Sequence, residues 1–142
     1  MTFVEVLVVL AVLALLFTLG LSALQNFSRE TSLQGETQRL AAFIKEAHDR
    51  ALSSLDRSGF GVHFEGDSVT LFKGDTYSQG AVTNEIFEWA DTLEVSHDLE
   101  GGGDDVVFTK IKGTGRNGTV TVTSQNGAKI IDLFETGIVK IR

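Results

Sequence analysis

The chain has 142 residues, no Cys, no Pro and a formal net charge of −7. That length suits one domain of ordinary size; the missing Cys excludes disulfides and thiolate metal sites, and the missing Pro leaves bends to Gly, Asn and Asp. Charge is unevenly spread: residues 1–105 hold 6 Lys/Arg and 17 Asp/Glu, residues 106–142 hold 6 and 2. An acidic body joined to a basic end suits head-to-tail matching between copies or a local anion site.

The first element is a helix that opens on "MTFVEVLVVLAVLALLFTLG". Val6 to Leu24 carries no charge, and the first basic residue is Arg29. At 1.5 Å per residue that run spans about 28 Å, close to the hydrocarbon core of a bilayer, and it is apolar on every side. Residues 1–24 therefore read as a half-helix for lipid or a filament core. A secretory signal peptide wants a basic start and a small-residue cleavage site, and neither is present. A membrane anchor wants Lys or Arg on its cytoplasmic flank. One explanation for their absence is that a basic flank has been removed, which makes Met1 the first residue of a mature chain with a free α-amine. Such an amine, with a pKa of about 8, is positive at neutral pH. Glu5, one helical turn in, then has a partner in its own amine or in that of a neighbouring copy. The second choice sets a register between chains, since a buried pair specifies geometry better than it adds stability. The alternative is an interfacial carboxylate that touches only headgroups.

From residue 25 to 57 the pattern turns periodic. Leu33, Leu40, Phe43, Ile44, Ala47, Ala51, Leu52 and Leu55 recur every three or four residues, with Glu36, Arg39, Lys45, Glu46, Asp49 and Arg50 between them. This is an amphipathic half-helix with one face for a core. Glu46 and Arg50 form an i,i+4 pair, Gly35 is a site for a bend, and Gly59 and Gly61 are read as terminators.

Residues 58–142 read as a β-rich head. "FGVHF" and "SVTLFK" alternate about "EGDS"; "EIFEW", "TLEVSH", "VVFTKIKG", "TVTVTS", "AKIIDLF" and "GIVKIR" follow, with turns at Gln125-Asn126-Gly127 and Glu135-Thr136-Gly137. The fold class is α+β: a long N-terminal helix packed against an antiparallel head of seven or eight short strands.

"GTGRNG", Gly113 to Gly118, matches G-x-G-x-x-G in letters but precedes a strand pattern, so it reads as a hairpin loop. Asp98, Glu100, Asp104 and Asp105 around three Gly offer oxygen ligands for Ca²⁺, without EF-hand spacing; a solvated loop is the plainer reading. His48, His63 and His97 are scattered outside any ligand or nucleophile motif, and no catalytic constellation or cofactor site emerges. Lys110, Lys112, Arg116, Lys129, Lys140 and Arg142 form a basic set for subunit pairing with the acidic body. DNA contact is the weaker use, because that body repels DNA at range. Asn26 and Asn117 are sequons.

The tip "TFVEVLVVLAVLALL" resembles the processed tip of type IV pilins. The stretches "RLAAFIKEAHDRALSS", "GVHFEGDSVTLF" and "ETGIVKIR" resemble the H-type minor pseudopilins of type II secretion and related minor pilins. The resemblance implies that a prepilin peptidase cuts a basic leader before Met1 and that the new amine is methylated. Met departs from the family's usual Phe there, and Ser22 from its frequent Pro, so loosening in an assembled filament is expected near Gly20. It also implies that Glu5 sets register. The chain would pass from the cytoplasmic (inner) membrane, through its assembly machinery, into a surface filament of like subunits. It would be a structural pilin and not an enzyme. The alternatives are a minor pilin or pseudopilin of a secretion or DNA-uptake machine, or a single-span anchored binding module.

Overall fold

The computed structural model describes residues 2–53, 57–125 and 127–142, and for 18–31 the backbone only. Among the described residues the chain folds as one helix, α1 (Phe3–Leu52), followed by eight strands. It divides into two compact units, Met1–Ser32 and Leu33–Arg142.

The first unit is helical backbone, unbroken through Gly20. Its described side chains from Phe3 to Phe17 are all exposed, Phe3 at 79% and Phe17 at 73%. Among the described residues no helix is long and apolar enough to cross a membrane. The expected span of 6–24 runs on past Phe17, outside the described side chains, as do Ser22 and the sequon at Asn26.

In the second unit α1 buries Leu33, Thr37, Leu40, Ala41, Ile44, Ala47 and Ala51. The three- and four-residue steps place these on one stripe. Thr37 is tolerated there because its hydroxyl donates to the Leu33 carbonyl at 2.7 Å. The helix stops at Leu52, earlier than the glycines suggest, with the Ser53 hydroxyl donating to the Arg50 carbonyl. Leu52 is exposed rather than core, and Leu55 lies outside the described residues. Gly61 is a strand residue, not a terminator: a Cβ there would lie 2.6 Å from the Phe72 ring and 2.8 Å from the Val106 carbonyl oxygen.

The strands are β1 (Phe60–Glu65), β2 (Ser68–Lys73), β3 (Glu85–Glu88), β4 (Glu94–Leu99), β5 (Asp105–Phe108), β6 (Gly118–Ser124), β7 (Gly127–Leu133) and β8 (Val139–Ile141). They form two four-stranded sheets, β3-β2-β1-β5 and β4-β6-β7-β8, antiparallel at every pairing. Alternation carries Val62, Val69, Leu71, Val106 and Phe108 of the first sheet, and Val120, Val122, Ile131 and Leu133 of the second, into one core with the helix stripe. Two readings are corrected. "VVFTKIKG" is strand only to Phe108, because Ile111 sits at φ 70° and the Thr109 N–H turns back to the Thr114 carbonyl. "GTGRNG" is not a hairpin loop, since β5 and β6 belong to different sheets and the segment crosses between them.

Candidate functional site

At the start of α1, the Thr2 N–H donates to Glu5 Oε2 at 3.3 Å, and the Glu5 N–H reaches Thr2 Oγ1 at 3.4 Å and the Thr2 carbonyl at 3.1 Å. The two side chains thus satisfy donors that a helix leaves unpaired at its first turn, in the reciprocal pattern of a capping box. The carboxylate also lies at the positive end of the helix dipole. Glu5 is exposed, so its capping bond leaves one oxygen open to a second partner. Met1 lies outside the described residues. The cap was readable in the letters T-F-V-E, where Thr2 and Glu5 match S/T-x-x-E.

The acidic loop is occupied by other contacts. Asp105 Oδ1 lies 2.6 Å from His63 Nδ1, and Asp104 Oδ1 lies 3.1 Å from His97 Nε2. His63 stacks on Tyr77 with centroids 3.9 Å apart, and His97 on Phe64 at 4.9 Å. Adjacent aspartates therefore hold a histidine of β1 in one sheet and a histidine of β4 in the other. Glu100 accepts from Asn117 Nδ2 at 2.7 Å, and Asp98 stands on β4. Among the described residues no group of three or more His, Asp or Glu is gathered as a metal ion would require. His48 packs edge-on to Phe108, with Gly113 and Gly137 against its ring.

The basic set is spread out. Lys110 and Lys112 stand on the exposed turn after β5, and Arg116 donates to the Gly102 carbonyl at 2.7 Å. Lys129 shares the face of Val122, whereas Lys140 shares the opposite face with Asp132, and Arg142 pairs with Asp132 at 3.1 Å. Arg50 takes both oxygens of Glu85 and also Glu46. The Glu85 hydrogen bond raises the Arg50 guanidinium above its ordinary value, against desolvation, and Arg50 holds the Glu85 carboxyl below the usual carboxylate range. Two adjoining shallow depressions of about 360 and 310 Å³ share Gly66, Trp89 and Val95; Glu65, Asp67, Asp91 and Glu94 line one or the other.

A long capped helix whose second part packs beneath two antiparallel sheets is a type IV pilin-like fold. The chain is similar to the crystal structure of the type IV minor pilin FimU of Pseudomonas aeruginosa, at 16% identity and a TM-score of 0.60, over 77% of this chain and 91% of that one. No protein-family model matches the sequence, and no curated protein does.

Proposed function

We propose that the chain is a pilin or pseudopilin: a structural subunit that assembles non-covalently into a type IV pilus-like filament through its N-terminal helix. The observation that carries this reading is the exposed apolar surface from Phe3 to Phe17, whose one carboxylate, Glu5, caps the helix, on a chain with a pilin-like head. Apolar surface on that scale requires lipid or like helices around it. Before assembly the helix sits in the cytoplasmic membrane; in the filament, Glu5 meets the amine of a neighbour's Met1. Heterologous contacts of this kind generate an open helix. A position among the minor subunits is the second reading, favoured by the likeness to a minor pilin.

The test pairs intact mass with two variants. Chains recovered from sheared surface material should begin at Met1 and carry one added methyl group. Glu5→Gln keeps a capping acceptor but removes the charge, whereas Glu5→Ala removes both. Loss of filaments in both variants supports the register role. Filaments retained in Glu5→Gln alone reduce Glu5 to a helix cap, filaments retained in both remove its register role, and a chain found only in membranes leaves an anchored module.

A further inference from the structure

In the second sheet β4 and β8 are the outer strands, each with one neighbour among the described residues. Their backbone phases define what the free sides offer. Arg142 exchanges both backbone bonds with Ile130, at 3.1 and 2.9 Å. Alternation along an antiparallel ladder then turns the N–H and C=O groups of Val139 and Ile141 outward. At the other edge the Glu100 N–H donates to the Asn117 carbonyl at 2.9 Å, in register with the β4–β6 pairing. The same alternation turns the backbone groups of Val95 and His97 outward. The depression of about 310 Å³ opens beside Val95, Ser96 and His97.

Three further features make these edges complementary. First, three successive antiparallel pairings leave β8 antiparallel to β4. A second copy in the same orientation, set alongside, therefore brings its β4 antiparallel to β8. Second, the pairings and the Ile130–Arg142 backbone bonds form two rows on one face: Asp98, Thr119, Asp132, Lys140, and Ser96, Thr121, Ile130, Arg142. Continuing the sheet without slippage sets Lys140 opposite Asp98 of the next copy and Arg142 between its Glu94 and Asp98. Ile141, which is 38% exposed, falls opposite His97 on the other face. Third, Glu94, Asp98 and Lys140 make no ion pair with one another or with other described residues. Like edges repel, acid to acid and base to base, whereas unlike edges attract.

We infer that the β8 edge of one copy adds to the β4 edge of a second copy of this chain, extending the sheet from head to head. The charges on the strands specify a heterologous junction over an isologous one, so the pairing propagates. From the filament reading the inference takes only the shared orientation of the copies.

Because the chain lacks cysteine, a pair of introduced thiols reports the junction cleanly. Lys140 and Asp98 would form a non-hydrogen-bonded pair with Cα atoms about 4.5 Å apart, within disulfide reach. Full-length D98C/K140C, oxidised in membranes and in sheared filaments, should give a reducible ladder of trimers and larger species. D98C or K140C alone should stop at dimers, and D98C/K112C, with one thiol off the edge, should give no ladder. K140E should abolish whatever head association the native chain shows in detergent, and D98K/K140E should restore it. The inference is overturned if D98C/K140C, shown to be folded by the fluorescence of buried Trp89, gives no ladder, or if the thiol introduced at position 98 is captured by a different protein. Absence of filaments from the sheared fraction would instead count against the filament reading, and the ladder in membranes is scored separately.

Discussion

Arg50 and Glu85 bind each other through two hydrogen bonds, Nη1 to Oε1 at 2.5 Å and Nη2 to Oε2 at 2.9 Å, joining the last turn of α1 to the outer strand β3. The pair lies 35 residues apart in sequence and is half-exposed on the Glu85 side. A bidentate fork of this kind exceeds an ordinary surface pair in geometry, but solvent screens it. Glu85→Gln is expected to lower the stability of the second unit by about 0.5–1 kcal/mol at pH 7. The sign with pH follows from the depressed Glu85 value. Its contribution is present above the ordinary carboxylate range and is lost as pH falls through the lower folded value. The gap between native and variant chains should therefore begin to narrow as pH falls below the ordinary Glu value of about 4.3 and close below the lower folded value. Urea unfolding followed by Trp89 fluorescence in mild detergent measures both limits.

Gly137 and His48 define a second test. Gly137 lies at φ 78°, and a Cβ there would run into the His48 ring and the Gly113 carbonyl oxygen. Gly66 lies at φ 53° with open space around it. Both substitutions to Ala carry the backbone penalty of about 1 kcal/mol. Gly137→Ala adds overpacking and should cost about 2–4 kcal/mol in all. In a His48→Ala background that excess should shrink by at least about 1 kcal/mol. Equal costs for Gly66→Ala and Gly137→Ala in urea unfolding would refute the close packing at His48.

The elements differ in how far they were legible. The pairs β1–β2 and β6–β7 were legible, because alternation runs through all four strands. The division into two sheets was not: Trp89 to Leu93 crosses between them without a glycine or a charge run to mark it. "VVFTKIKG" alternates past Phe108, and the chain turns at Ile111 through bonds the pattern does not show, from the Ile111 N–H to the Ala51 carbonyl and from the Gly113 N–H to the Thr109 carbonyl. At the tip, the offset of Glu5 was plain. Its capping bond to Thr2 was present in the same four letters, but the charge of Glu5 points first to an amine partner. Arg50 illustrates the general limit. Its i,i+4 partner Glu46 is visible in a helix pattern, whereas Glu85 becomes a neighbour only when β3 docks on β2.

The adjacent aspartates before and within β5 should separate by burial. His63 faces Asp105 directly across β1 and β5 and is covered by Tyr77, whereas Asp104 is 61% exposed beside His97. Asp105→Ala leaves a half-buried imidazole without its close acceptor and should cost about 1–2 kcal/mol. Asp104→Ala should cost less than about 0.5 kcal/mol. Comparable losses in the two variants, read from urea midpoints at constant slope, would rule out the His63–Asp105 bond as the stronger tie.

Ile44 tests whether the helix stripe and both sheets share one core. It is fully buried and belongs to one apolar cluster with Val62 and Leu71 of the first sheet and Val120 and Ile131 of the second. Truncation removes buried methylene groups and leaves a cavity that two sheets cannot both close, so Ile44→Ala should cost about 2–5 kcal/mol. Lys45, the next residue, is exposed, and Lys45→Ala should stay within about 0.5 kcal/mol. The more telling readout is cooperativity. If the helix binds both sheets into one unit, Trp89 fluorescence and far-UV dichroism of the Ile44→Ala chain should still report one coincident transition for the head, shifted to lower urea. Two separated transitions would mean that the sheets unfold independently and that the helix stripe serves only one of them.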